Sequence, residues 1–135
     1  MNIHEVPLAF VNQVWSHAER FIESALSFSG GDYSAEEAKV MVINGVWSMI
    51  IATDENNTCR GAAIVQYFNR PNDRVAFIIA LGGKWVTNSD NAAQLFNIFR
   101  TNGATAVEAA ARDDILKFWQ KYGLEKKYTI ISATL

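Results

Sequence analysis

Along the chain, apolar residues recur first at a helical spacing and then, past residue 45, in short unbroken runs. Val11, Val14, Trp15, Ala18, Phe21, Ile22 and Ala25 follow one another at intervals of three and four, with Asn12, His17, Glu19 and Glu23 between them. This spacing predicts a long amphipathic helix that closes before Gly30-Gly31. Ser34 and Glu37 stand at the spacing of a capping box, in which hydroxyl and carboxylate each satisfy a free backbone N–H. A second helix is therefore predicted to about Ile43, ended by Asn44-Gly45.

The period then changes to that of strands. "VWSMIIAT", "GAAIVQYF" and "RVAFIIAL" are rich in β-branched and aromatic residues, and the turn-forming "DENNT" and "NRPND" separate them. They predict an antiparallel meander. Asn88, Ser89 or Asp90 can cap a third helix carrying Ala92, Leu95, Phe96 and Phe99, which stops at Asn102-Gly103. "ATAVEAAA" reads as a strand, a fourth helix runs from Asp113 to Gly123, and "YTIISATL" reads as a final strand. Two helices, a meander, and then strand and helix in alternation predict an α/β (α+β) fold in one domain over residues 1–135. Its single mixed, mostly antiparallel sheet carries helices on both faces. "NIHEV" is too short to decide whether a strand precedes the first helix.

Composition narrows the possible partners. Twelve Lys and Arg against 14 Asp and Glu give a net charge of −2, and no segment concentrates basic residues. Nucleic acid is therefore a poor partner. No window approaches the roughly 18 apolar residues of a membrane span, so a soluble, cytoplasmic protein is expected. The single Cys59 has no second thiol to pair with, which fits a reducing compartment. His4 and His17 lack acidic or thiol partners at ligand spacing, and no metal is expected. Ser48, in "WSMII", lacks the glycine-flanked elbow of a nucleophilic serine.

The order of elements resembles the GNAT (Gcn5-related N-acetyltransferase) superfamily over nearly the whole chain. The likeness is strongest in "GATAVEAAARDDILKFWQKYGLEKKY". Within that superfamily the chain is similar to small phage-encoded GNAT-like proteins of virion assembly. The residues that carry this likeness are Gly82, Gly83, Gly103, Ala104, Glu108, Arg112, Trp119 and Gly123.

The resemblance implies acetyl-CoA as cofactor, with its pyrophosphate on a loop and helix N-terminus after the fourth strand. Here that loop is "LGGKWVTNSDNAA", and Gly82, Gly83, Lys84, Asn88 and Ser89 are the candidate cofactor-binding residues. The glycines are adjacent and come five or more residues before the helix, so a strand ending in a bulge or turn is the better account of them. Glu108 is the candidate base. Amid alanines its pKa can rise; alternatively it forms an ion pair with Arg112 or Lys84. The position that holds a tyrosine acid in many such enzymes falls on Trp119, and Tyr122 is expected on another face of the helix.

Two functions remain open, and the irregular cofactor loop and the tryptophan at the acid position favour the first. One is a catalytically degenerate GNAT-fold phage protein that acts in the virion or its assembly through other proteins, including phage structural proteins, in the host cytoplasm or the particle. The other is an N-acetyltransferase that moves an acetyl group from acetyl-CoA to an amine. A homo-oligomer suits either, and any exposed pair among the four tryptophans would mark a protein contact.

Overall fold

The computed structural model describes residues 1–28 and 30–135. Strand β1 (Asn2–Glu5) precedes a 3-10 turn at Leu8–Phe10, helix α1 (Val11–Leu26) and helix α2 (Ala35–Ile43). The meander follows as β2 (Ser48–Thr53), β3 (Cys59–Asn69) and β4 (Arg74–Gly83). Then come α3 (Ser89–Thr101), β5 (Ala106–Ala109) and α4 (Asp113–Gln120). The strands form one sheet in the order β1-β2-β3-β4-β5, antiparallel except for the parallel β4–β5 pair.

The helix starts obey local rules. Ser34 Oγ accepts the Glu37 N–H and Glu37 Oε1 accepts the Ser34 N–H, both at 3.1 Å, which is the predicted capping box. Of the three candidates for the cap of α3, Asn88 does the work: its Oδ1 accepts the Asn91 N–H at 2.9 Å.

Each face of the sheet is covered by a helix pair. The stripe Val11, Trp15, Ala18, Ile22 and Leu26 of α1 packs with Ala38 and Val42 of α2 on Met49, Ile51, Ala62 and Ile64. On the other face Ala92, Leu95 and Phe99 of α3, with Trp119 of α4, pack on Ile50, Ala63, Val65, Ala76 and Ile78. Helices on both faces of a mixed sheet are as expected.

One open strand assignment is settled and another changes. "NIHEV" does form a strand, with Asn2 opposite Thr53 and Glu5 opposite Ile50. Conversely, residues 124–135 contain no strand. "YTIISATL" has strand-forming side chains, but a strand also needs ladder partners, and no strand pairs with this segment.

Candidate functional site

β4 is held from two sides over only part of its length. Its ladder to β3 runs from Asn69↔Arg74 to Gly61↔Gly83 and is broken where Ile64 faces Ala80 and Val65 faces Ile78, leaving Ile79 as the extra residue of a bulge. Its ladder to β5 runs only from Val75↔Ala106 to Ile78↔Ala109. A bulge bends and twists its strand. The two parallel strands therefore part at Ile79, and no rung joins residues 79–83 to β5.

The glycines at the end of β4 serve packing. A Cβ on Gly82 would run into the Phe21 backbone of α1, and one on Gly83 into the Arg60 carbonyl and Gly61. Gly83 also has φ +92°, a conformation that favours glycine. These contacts explain both residues as the close approach of a strand end to a helix and a neighbouring strand.

The loop that follows folds inward. Trp85 is fully buried and Val86 nearly so, whereas Lys84 and residues 87–90 are exposed. The indole lies against Gly61, where any Cβ would strike it, and its Nε1 donates to the Gly82 carbonyl at 2.9 Å. Buried Asn91 donates from Nδ2 to the Trp85 carbonyl at 2.6 Å, and Tyr122 Oη donates to the Val86 carbonyl at 3.4 Å. Lys84, Asn88 and Ser89 are thus left at the surface around the start of α3, where the helix dipole favours an anion.

Glu108 has partners that the sequence did not suggest. Arg70, in the turn between β3 and β4, grips it with both Nη atoms, Nη1 in close contact with Oε2 and Nη2 at 2.9 Å from Oε1; Lys127 Nζ adds a bond at 3.1 Å. The Arg70 hydrogen bond, seconded by Lys127, holds the carboxyl down at about 2, the reverse of the rise expected for a carboxylate amid alanines. Arg112 instead lies over the Phe28 ring at 4.2 Å and pairs with Asp114 at 3.4 Å, and Lys84 is not near enough to form an ion pair.

Beside β5 lies a cleft of about 790 Å³. Glu108, Ala109, Ala110 and residues 125–130 line it together with Phe77, Trp119 and Tyr122. Trp119 is buried, as a core residue would be. Tyr122 borders the same cleft, contrary to the helical-wheel expectation. The reason is local: α4 ends at Gln120, and residues 121–123 form a turn that closes at Gly123 with φ +92°. Tyr122 is therefore not on the wheel that placed it elsewhere.

The remaining candidates stay ordinary. His4 is exposed on β1, opposite Ile51, and no cluster of three potential metal ligands occurs among the described residues. Cys59 opens β3 half-buried, with Sγ 3.4 Å from the Gly61 carbonyl, and burial pushes its thiol up. No described helix is long and apolar enough to cross a membrane.

No protein-family model and no curated protein matches the sequence. Solved structures do match. An aminoglycoside acetyltransferase from an uncultured soil metagenomic sample, in complex with sisomicin, superimposes with a TM-score of 0.70 at 15% identity, over 99% of this chain and 95% of that one. A probable acetyltransferase gives 0.68 at 13% identity, over 100% and 97%. The glucosamine-6-phosphate N-acetyltransferase of Arabidopsis thaliana gives 0.64 at 10%, over 98% and 97%. The helices and the sheet order thus make up, across essentially the whole chain, a GNAT-like fold similar to that of these structures.

Proposed function

We propose that the protein is an acetyl-CoA-dependent N-acetyltransferase whose acceptor amine enters the cleft beside β5. The observation that carries this reading is the parting of β4 from β5 at Ile79, next to a cleft bordered by both a carboxylate and a phenol. The three solved structures compared above are described as acetyltransferases or a probable one, which favours transfer over a virion role.

The residues fit the cofactor in two places. The β5-facing side of residues 79–83 lacks a strand partner, so peptide groups there suit a ligand arm that carries amides. At the start of α3, Lys84, Asn88 and Ser89 suit phosphate, with Gly82 and Gly83 fixing the strand end from which that loop departs. When bound, acetyl-CoA supplies the acetyl thioester. A carboxyl held near 2 is too weak a base to strip an ammonium group, and its charge is already met by Arg70 and Lys127, so Glu108 would at most orient the amine by accepting a hydrogen bond from it. Tyr122, which borders the cleft with its Oη 3.4 Å from the Val86 carbonyl, would return a proton to the thiolate that leaves, and the proton given up by the amine would pass to water.

One observation favours a non-catalytic scaffold reading: Glu108 is already neutralised by two cations. The deciding experiment is thermal unfolding with and without millimolar acetyl-CoA. A cofactor at a hundred times its dissociation constant adds about 2.7 kcal/mol, and the midpoint should rise by several degrees. No rise, or an equal rise with adenosine nucleotides alone, would turn the balance to the scaffold reading.

A further inference from the structure

The cleft beside β5 already holds an amine of this chain. Lys127 Nζ donates to Glu108 Oε2 at 3.1 Å, and Lys127 lines the cleft together with Glu108 and Tyr122. Its side chain is 58% exposed, so water can reach the nitrogen and take its proton. Glu108 stands one residue before Ala109↔Ile78, the last rung between β4 and β5, so the nitrogen is held next to the place where these strands part. An amine bonded to that carboxylate, in a cleft that also offers a phenol, meets what acetyl transfer asks of an acceptor.

Charge balance alone does not explain the bond. Arg70 grips both Glu108 oxygens with its two Nη atoms, and this contact is the main cause that holds the carboxyl down. Arg70 therefore keeps Glu108 paired whether or not Lys127 carries a charge. Lys126 also lines the cleft, yet Lys127 is the only lysine among the described residues in an ion pair with a carboxylate. The segment that bears it has room to adjust: residues 125–130 lie in no helix or strand, and no backbone hydrogen bond among the described residues holds them.

We propose that Lys127 is an acetyl acceptor of this chain's own site, so that the protein modifies itself, a step that rests on the acetyl-transfer reading and deepens it. An acetyl thioester is the co-reactant: at Nζ an amide C–N bond forms while the thioester C–S bond breaks. The ammonium gives up two protons in all, one to the departing thiolate by way of Tyr122 and one to water. The products are acetyl-lysine at 127, a free thiol and one proton. The modified side chain has lost its charge and with it the ion pair, so Glu108 is left to Arg70 and the position opens to an amine from outside. Until then Lys127 competes with any such amine for Glu108.

The test incubates the full chain with millimolar acetyl-CoA and follows each lysine by peptide mass spectrometry. Lys127 should be acetylated roughly tenfold or more faster than Lys84 and Lys126, which are also exposed and report unassisted chemical acetylation. Its first-order rate should not depend on protein concentration, because amine and site belong to one chain. Glu108→Gln, which removes the bond to Nζ, should bring Lys127 down to the rate of those two lysines without altering theirs. Tyr122→Phe, which keeps the ring, should do the same and stands in if the first variant fails to fold. Thermal unfolding of the same samples separates the two ways of failing. A midpoint raised by acetyl-CoA with Lys127 no faster than Lys84 and Lys126, unaffected by either variant, or faster in proportion to protein concentration, overturns self-modification and leaves acetyl transfer standing. No rise in the midpoint overturns both.

Discussion

The two edges of the sheet are treated in opposite ways. At β1, a side chain stands in for the missing strand: the Ile3 N–H donates to Gln94 Oε1 at 3.2 Å, and Gln94 Nε2 donates to the Met1 carbonyl at 3.0 Å. One glutamine from α3 thus engages one donor and one acceptor at that edge. At β5 no described side chain plays this part, and Lys127 of the segment after α4 reaches the strand through the Glu108 carboxylate. An edge closed by its own chain adds to stability, whereas an edge left open keeps backbone groups available for something else.

If that contrast is right, the open side must still be rigid, and its anchor is the packing of β4 on α1. Gly82→Ala should give the largest effect, because the new methyl meets the Phe21 backbone, which cannot yield as a flexible side chain can. A loss of about 3 kcal/mol or more, or failure to fold, is expected from chemical denaturation. A variant as stable as the parent would mean that β4 is loosely held, and the contrast with β1 would collapse.

A smaller effect belongs to the bridge across the cleft. Glu108 titrates at about 2 in the fold against an ordinary 4.5, so its contribution is complete above pH 4.5 and is lost as the pH falls toward 2. Because Lys127 is 58% exposed and Arg70 33%, solvent screening keeps the contribution well below what the full shift would give. Glu108→Gln should lower the melting temperature at pH 7 and flatten its fall between pH 4.5 and 2. Parallel curves for the two proteins would remove the ion pair as the support of the open edge.

The smallest effect sharpens the other side. Gln94→Ala should cost about 1 kcal/mol, with hydrogen exchange quickened at Ile3 and unchanged in β3. Exchange that quickens equally in both strands would show that the glutamine does not act locally at β1.

What could be read from the sequence was whatever is decided within a few residues. The α1 stripe, the Ser34–Glu37 box, the Asn88 cap and the β2–β3–β4 meander all rest on near neighbours. What could not be read depends on partners far along the chain. β1 becomes a strand only because Asn2 meets Thr53, and Glu108 takes its charge environment from Arg70, 38 positions away. Tyr122 was misplaced because the wheel was continued past the end of α4 at Gln120. "YTIISATL" has the right side chains for a strand, but propensity does not supply a neighbour.

The loop between β4 and α3 has a kinetic consequence. Trp85 pinned to Gly82, Asn91 to Trp85 and Tyr122 to Val86 leave residues 84–88 already ordered before anything arrives. An anion that lands on the start of α3 has no segment to fold around itself, so its association should follow a single exponential whose rate rises linearly with concentration, without the plateau that a slow loop closure would impose.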